Sequence, residues 1–80
     1  MTEFTKQTNH LRCFLLKGDI ERICRDAGVA MGTLYNAFAA QDYKTMQKKQ
    51  RMAYDAFLRR VEDNLAAADN IQQRAKLIVR

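Results

Sequence analysis

The sequence predicts an all-α domain of four or five helices, with a helix-turn-helix near its centre and a long fourth helix. Proline is absent from the 80 residues, and glycine occurs only at Gly18, Gly28 and Gly32, so strong helix-breaking positions are few. Apolar residues recur at helical spacing, and no stretch alternates apolar with polar residues as a strand would. Because a chain of this length forms one domain, residues 1–80 are interpreted as a single unit.

The first two helices are predicted to meet at Lys17 and Gly18. An apolar stripe at helical spacing over residues 3–16 predicts helix one. A cation followed by glycine is typical of a helix end, so we expect helix one to stop there. Asp19 is the predicted N-cap of helix two, because its carboxylate can accept the free N–H groups of a first helical turn.

Residues 19–39 have the layout of a helix-turn-helix. Gly28 follows predicted helix two and can adopt the positive φ that a tight turn after a helix requires. Leu34 and Phe38 are expected to point inward from helix three, with Val29 filling the angle between the two helices. The opposite face of helix three then stays free, as it does in proteins that insert this helix into the major groove of DNA.

A long fourth helix is predicted over residues 43–67, with Asp42 as its N-cap. Its apolar stripe comprises Met46, Ala53, Phe57, Val61 and Leu65. This stripe is broad enough to contact both the rest of the domain and a second copy, so residues 43–79 are a possible dimerisation region. Asp69 and Gln72 have the spacing of a capping box, which predicts a break and a fifth helix. One continuous helix is the alternative.

The charge and the cysteine content indicate which kind of partner and which cellular compartment to expect. A net charge of +5, from 14 Lys and Arg against 9 Asp and Glu, favours a polyanion such as nucleic acid, although solubility alone is the alternative explanation. The two cysteines match neither a disulfide framework nor a metal site, so we expect reduced thiols in the cytoplasm and no metal or cofactor. No apolar stretch resembles a signal peptide or could span a bilayer, so no membrane partner is expected.

Residues 27–38 read AGVAMGTLYNAF, and several of them fall in register with a known motif. The matching residues are Ala27, Gly28, Val29, Gly32, Thr33, Leu34, Tyr35 and Phe38. This run resembles the turn and recognition helix of the tetracycline-repressor family of transcriptional regulators, although Ala30 stands where that family usually has serine. The resemblance implies that Thr33 and Tyr35 hydrogen-bond DNA phosphates. The family's ligand-sensing domain is not represented here, so no small-molecule ligand is expected.

The outer face of helix three supplies the predicted base contacts. Asn36 is the strongest candidate, because its amide can pair with adenine through two hydrogen bonds, although it could instead be a solvated surface residue. Met31 and Ala30 can pack on thymine methyl groups, and Gly32 lies on the same face. Helix three carries no charge, so phosphate attraction must come from flanking elements. The phosphate contacts predicted there are Arg22, Arg25, Lys44, Lys48 and, as a weaker candidate, Arg12. The two lysines would share a helix face at i, i+4 spacing.

The sequence therefore predicts a small protein that binds double-stranded DNA, either as a dimeric transcriptional regulator or as a mobile-element accessory factor. Two copies would place their recognition helices one DNA turn, about 34 Å, apart. The alternative is a helical protein-interaction module, in which the helix-turn-helix is only structural and the fourth helix docks a partner. An enzyme is not expected, because no nucleophile–base pair, phosphate-binding loop or metal cluster is visible and no catalytic residue can be named.

Overall fold

A computed structural model describes the backbone of residues 2–78 and the side chains of residues 2–72. Within these residues the chain forms four α-helices and one 3-10 helical turn, and no strand. The helices are α1 (Glu3–Arg12), α2 (Asp19–Ala27), α3 (Met31–Ala39) and α4 (Lys48–Ile78), and the 3-10 turn (Tyr43–Thr45) lies between α3 and α4. The predicted all-α class, with a helix-turn-helix and a long fourth helix, is confirmed.

The first helix is shorter than predicted. Thr2 caps α1, because its hydroxyl accepts the backbone N–H of Thr5 at 3.2 Å. The helix ends at Arg12, before the predicted stop at Lys17 and Gly18. Gly18, with φ +87°, is instead the N-cap of α2. The prediction failed because a left-handed glycine can equally well leave one helix or enter the next.

Asp19 is not the N-cap of α2 but its first residue. Its carboxylate accepts the backbone N–H of Leu16 at 2.8 Å and the Nδ2 amide of Asn64 at 2.9 Å. Burial acts to raise the pKa of Asp19, but these two hydrogen bonds, with Arg60 and Arg22 nearby, outweigh it and lower the pKa below its ordinary value. Asp19 therefore ties the α1–α2 connection to α4.

The core lies where α2 and α3 pack across the first half of α4. Phe57 is completely buried, and its ring centroid lies 4.8 Å from that of Phe38. Helix α1 docks on the same core through Phe4, which stacks on Tyr54 at 5.2 Å, and through the hydroxyl of Thr8, which lies 2.7 Å from that of Tyr54. The buried apolar residues are Ile23, Cys24, Leu34, Ala37, Phe38, Met46, Ala53, Tyr54, Phe57 and Val61.

Helix α4 begins later than predicted and continues without the predicted break. Asp42 caps the 3-10 turn instead of α4, since its carboxylate accepts the N–H of Lys44 at 3.1 Å. The chain is extended again at Met46, and α4 starts at Lys48. The helix then runs through Asp69, so the alternative of one continuous helix is correct.

The C-terminal arm, residues 65–72 of α4, contributes no buried residue to the core. Every residue of the arm is exposed, including Leu65 at 40% and Ile71 at 66%. A helix of 31 residues is about 46 Å long, close to the 50 Å longest dimension of the molecule, so α4 extends well past the other helices. Position 79, the end of the predicted dimerisation region, lies outside the described residues, as do positions 1 and 80 of the predicted domain.

Candidate nucleic-acid interface

The turn between α2 and α3 has the predicted glycine geometry. Gly28 adopts φ +69°, and its N–H donates to the carbonyl of Arg25. The N–H of Val29 donates to the carbonyl of Cys24 at 3.0 Å, which satisfies a carbonyl at the helix end. Ala30 then caps α3 in an extended conformation, without a side-chain hydrogen bond. This turn sets how α3 lies against α2.

The inner face of α3 is buried as predicted, and its outer face is open. Leu34 is fully buried and Phe38 is 3% exposed, whereas Met31 is 46% exposed. Asn36 is exposed as well, and a Cβ added at Gly32 would meet no atom within 4 Å. All four predicted base-contact residues therefore lie on open surface; they are Ala30, Met31, Gly32 and Asn36.

The two residues with implied phosphate roles on α3 differ in accessibility. Thr33 is half-buried, while Tyr35 is 45% exposed and packs its ring edge-on against Phe38, at 6.0 Å between centroids. Arg12 from α1 packs on two rings of α3: its guanidinium carbon lies 4.5 Å from the Phe38 centroid and 6.0 Å from that of Tyr35. From the sequence, Arg12 is only the weaker candidate, because local spacing does not reveal a contact between residues that are distant along the chain.

Arg22 and Arg25 place positive charge on the exposed surface of α2. The Nη1 of Arg22 lies 4.0 Å from the Oδ1 of Asp19, and the Arg22 side chain remains 62% exposed. Such a long, solvated ion pair contributes little to stability. The guanidinium of Arg22 therefore remains accessible to an external anion.

Lys44 and Lys48 are both exposed, but the prediction that they share one face of a helix is wrong. Lys44 belongs to the 3-10 turn and Lys48 is the first residue of α4, with extended backbone at Met46 between them. No helical register relates the two lysines, so they do not share a helix face at i, i+4 spacing. Lys44 lies in the α3–α4 connection, and Lys48 begins α4.

Side chains from α4 brace the turn that carries Lys44. The Nη2 of Arg51 donates to the carbonyl of Lys44 at 2.8 Å, and its guanidinium carbon lies 5.7 Å from the ring centroid of Tyr43. The Tyr43 hydroxyl donates to both carboxylate oxygens of Asp55, at 3.1 and 3.2 Å. Burial and the neighbouring Asp55 raise the pKa of Tyr43, although Arg51 lowers it, so the hydroxyl keeps its proton.

A groove of mixed charge runs between α2 and α4. It encloses about 290 Å³, and Arg60 reaches across it to within 3.6 Å of Asp26. The acidic and basic residues that line it are Asp26, Asp55, Asp63, Arg59 and Arg60. Because carboxylates alternate with guanidinium groups here, this groove has no excess of positive charge to attract a polyphosphate.

The described residues offer few features for other chemistry. Cys13 is an exposed free thiol, and burial raises the pKa of Cys24, which keeps that thiol protonated and unreactive. Over the same part of the chain, no three His, Cys, Asp or Glu side chains are grouped to hold a metal ion. Nor do residues 2–78 include a helix with the length and apolar character needed to cross a membrane.

Comparison with known proteins adds no functional information, so the interpretation rests on the residues of this chain. No protein-family model, curated protein or solved structure matches the chain. The resemblance of residues 27–38 to the tetracycline-repressor motif therefore stays a prediction. The structure adds only the placement of these residues, on a turn of the expected geometry and on a helix with one open face.

Proposed function

We propose that the chain binds double-stranded DNA by inserting the outer face of α3 into the major groove. The observation that supports this proposal is the division of α3 into two faces. Leu34 and Phe38 are buried in the core, while Met31, Tyr35 and Asn36 are exposed. A short helix anchored by one face and open on the other is the arrangement that helix-turn-helix proteins use to contact base edges.

The residues of the interface divide into two roles under this proposal. Asn36 pairs with adenine, Met31 and Ala30 pack on thymine methyl groups, and Gly32 lets the helix backbone approach the bases. Phosphates are held by polar and basic groups around α3, since α3 has no charge of its own. These phosphate contacts are Thr33, Tyr35, Arg22, Arg25, Lys44 and Lys48, with Arg12 added because it lies against Tyr35 and Phe38.

The proposed unit is a homodimer formed through the C-terminal arm. Leu65 and Ile71 are exposed on a helix that extends past its own domain, so a second arm would remove apolar surface from water. Two copies could then occupy half-sites about one DNA turn, roughly 34 Å, apart. We propose a transcriptional regulator or a mobile-element accessory factor acting in the cytoplasm, where free thiols such as Cys13 and Cys24 stay reduced.

A salt titration with a matched pair of charge reversals tests DNA binding. The probe is a fluorescent duplex of random sequence, and affinity is measured by anisotropy between about 50 and 200 mM salt. We expect the logarithm of the affinity to fall linearly with the logarithm of salt concentration. Lys44→Glu should weaken binding to all sequences and reduce the salt slope by about 1, because one phosphate contact is lost.

Arg59→Glu is the control for this experiment. It changes the net charge by the same amount as Lys44→Glu, but it alters an exposed residue of the α2–α4 groove. The control variant should keep the wild-type slope. Absence of binding at low salt would contradict the proposal, and so would an equal loss of slope in both variants.

A protein-interaction module is the second candidate, favoured by the apolar character of the open α3 face. Met31 and Tyr35 are 46% and 45% exposed on a helix without charged residues. The sequence alternative placed such docking on the Met-rich face of helix four. Of the residues there, Met46 and Phe57 are buried and cannot contact a partner. The open face of α3 offers a second surface for docking. The salt titration separates the two candidates, since salt-dependent duplex binding is expected only of the first.

A further inference from the structure

We infer, on the basis of the proposed function, that the DNA half-site is read as A·T base pairs and that Met31 recognises a thymine methyl group. The inference concerns the α3 face already described and names the kind of duplex that this face fits. It follows from three features of α3: no cationic donor, an exposed apolar pair, and an exposed amide on the same open side of the helix.

The first feature is the absence of a guanine reader on α3. Guanine presents two acceptors, N7 and O6, to the major groove, and arginine or lysine is the side chain that usually reads them. The sequence of α3, MGTLYNAFA, contains neither residue. Arg12 packs beside α3, but its guanidinium lies over the ring of Phe38, with 4.5 Å from the guanidinium carbon to the centroid. The groove-facing surface of α3 is therefore poorly suited to G·C pairs.

The second feature is an exposed apolar pair. Met31 and Tyr35 are four residues apart, so they are neighbours on one side of α3, and each is nearly half exposed. Thymine is the base that offers an apolar group, its C5 methyl, in the major groove. The unbranched thioether of Met31 can adapt its shape to such a methyl group. Contact between them would cover apolar surface that the domain itself leaves open.

The third feature is Asn36, which is exposed on a neighbouring strip of the α3 surface, four residues after Gly32. Adenine, the partner of thymine, presents an N7 acceptor and an N6 donor that an asparagine amide matches with two hydrogen bonds. Gly32 lies four residues before Asn36, and open space surrounds the position of its missing Cβ. The helix backbone can therefore approach the bases closely, which the short side chain of Asn36 requires.

The test begins with a duplex pool that has a randomised core. The full chain is used to select binders from this pool, and the base composition of the selected cores is read by sequencing. We expect enrichment of A·T pairs over the starting pool. The selected duplex is then made with uracil in place of thymine in the core, a change that removes the C5 methyl groups and keeps the Watson–Crick edges.

Uracil substitution should weaken binding of the wild-type chain by about fourfold for each contacted methyl group, the equivalent of one buried methylene-sized group. Met31→Ala should prefer the thymine duplex less strongly than the wild-type chain does, because it lacks the side chain that senses one methyl group, while the contact of Ala30 is retained. Met52→Ala is the matched control. Met52 is 45% exposed, as Met31 is at 46%, but it lines the α2–α4 groove, so this variant should keep the preference for thymine.

Three results would overturn the inference while leaving the proposed function intact, provided that salt-dependent duplex binding persists. These are selection of G·C-rich cores, equal affinity of the wild-type chain for thymine and uracil duplexes, and an undiminished thymine preference in Met31→Ala. Loss of all salt-dependent binding to the starting pool is a different result, and it would overturn the proposed function together with the inference.

Discussion

The two halves of α4 have the same secondary structure and opposite surroundings. In residues 48–64, Ala53, Phe57 and Val61 are almost completely buried under α2 and α3. In the C-terminal arm, every residue is exposed. Since most helices in proteins owe their stability to the packing of one apolar face, the first half is stabilised by the domain, and the arm lacks such packing within it.

Asn64 marks the boundary between the two halves. Its Nδ2 amide donates to the carbonyl of Phe14 and to the carboxylate of Asp19, both at 2.9 Å. The residues immediately beyond it, from Leu65 onward, are exposed. The comparison therefore predicts that substitutions of buried residues before this boundary destabilise the domain. Substitutions at the boundary should loosen the α1–α2 connection, and substitutions beyond it should affect only association.

The largest effect is expected from Phe57→Ala in the packed half. Removing this buried ring should lower the free energy of unfolding by about 3–5 kcal/mol, because a cavity replaces its contacts. A domain of this size has little stability to spare, so much of the population should unfold. Urea denaturation followed by far-UV circular dichroism measures the loss. Ile71→Ala in the arm is the control and should change the monomer's stability by less than about 0.5 kcal/mol. Equal losses would refute the division of α4.

A smaller effect is expected from Asp19→Ala at the boundary. The N–H of Leu16 and the amide of Asn64 would lose their charged acceptor, which should lower the free energy of unfolding by about 2–3 kcal/mol. Asp63→Ala, a change at an exposed carboxylate, is the control and should have little effect.

The contribution of Asp19 should also depend on pH. Because the pKa of Asp19 is lower in the folded state, its stabilisation is fully present above the unfolded pKa of about 3.9 and is lost as pH falls through the folded value. The difference in the free energy of unfolding between the wild type and Asp19→Ala should therefore shrink as the pH is lowered. A difference that grew as the pH fell would show that another group is responsible.

The smallest effect on folding, and a specific effect on association, is expected from Ile71→Asp in the arm. If two arms pair, this change should raise the dissociation constant of the dimer at least about tenfold, because a charge replaces a buried apolar contact. Sedimentation equilibrium measures the constant. Asn70→Asp adds the same charge one position away, on a different side of the helix, and should have less effect. A chain that is monomeric at every concentration would contradict pairing through the arm.

The helix-turn-helix could be predicted from sequence because its signals are local. Gly28 at the turn, and Leu34 and Phe38 at helical spacing, lie within a short stretch of chain and agree with one another. The limits of the flanking elements were harder to predict. Gly18 can serve either end of a connection, and Asp42 can cap either a 3-10 turn or an α-helix, so sequence alone does not distinguish these outcomes.

The continuity of α4 and part of the candidate interface could not be predicted from local sequence patterns. The capping-box spacing at Asp69 does not end α4, because residues 66–68 are alanines and no glycine or proline interrupts the helix. The open face of α3 followed from periodicity alone. The contact of Arg12 with Phe38, and the separation of Lys44 from Lys48 by extended backbone, depend on how distant segments pack, which local spacing does not encode.

The brace around the 3-10 turn has a consequence for the speed of recognition. Arg51 and Tyr43 already hold the backbone of Lys44 in place before any partner arrives. The backbone of this segment then has little conformational freedom left to lose when the Lys44 ammonium group meets an anion, and the ordering cost falls on the side chain alone. If the chain binds DNA as proposed, association should proceed in a single kinetic phase at a rate governed by diffusion and charge attraction, without a slow rearrangement of this segment.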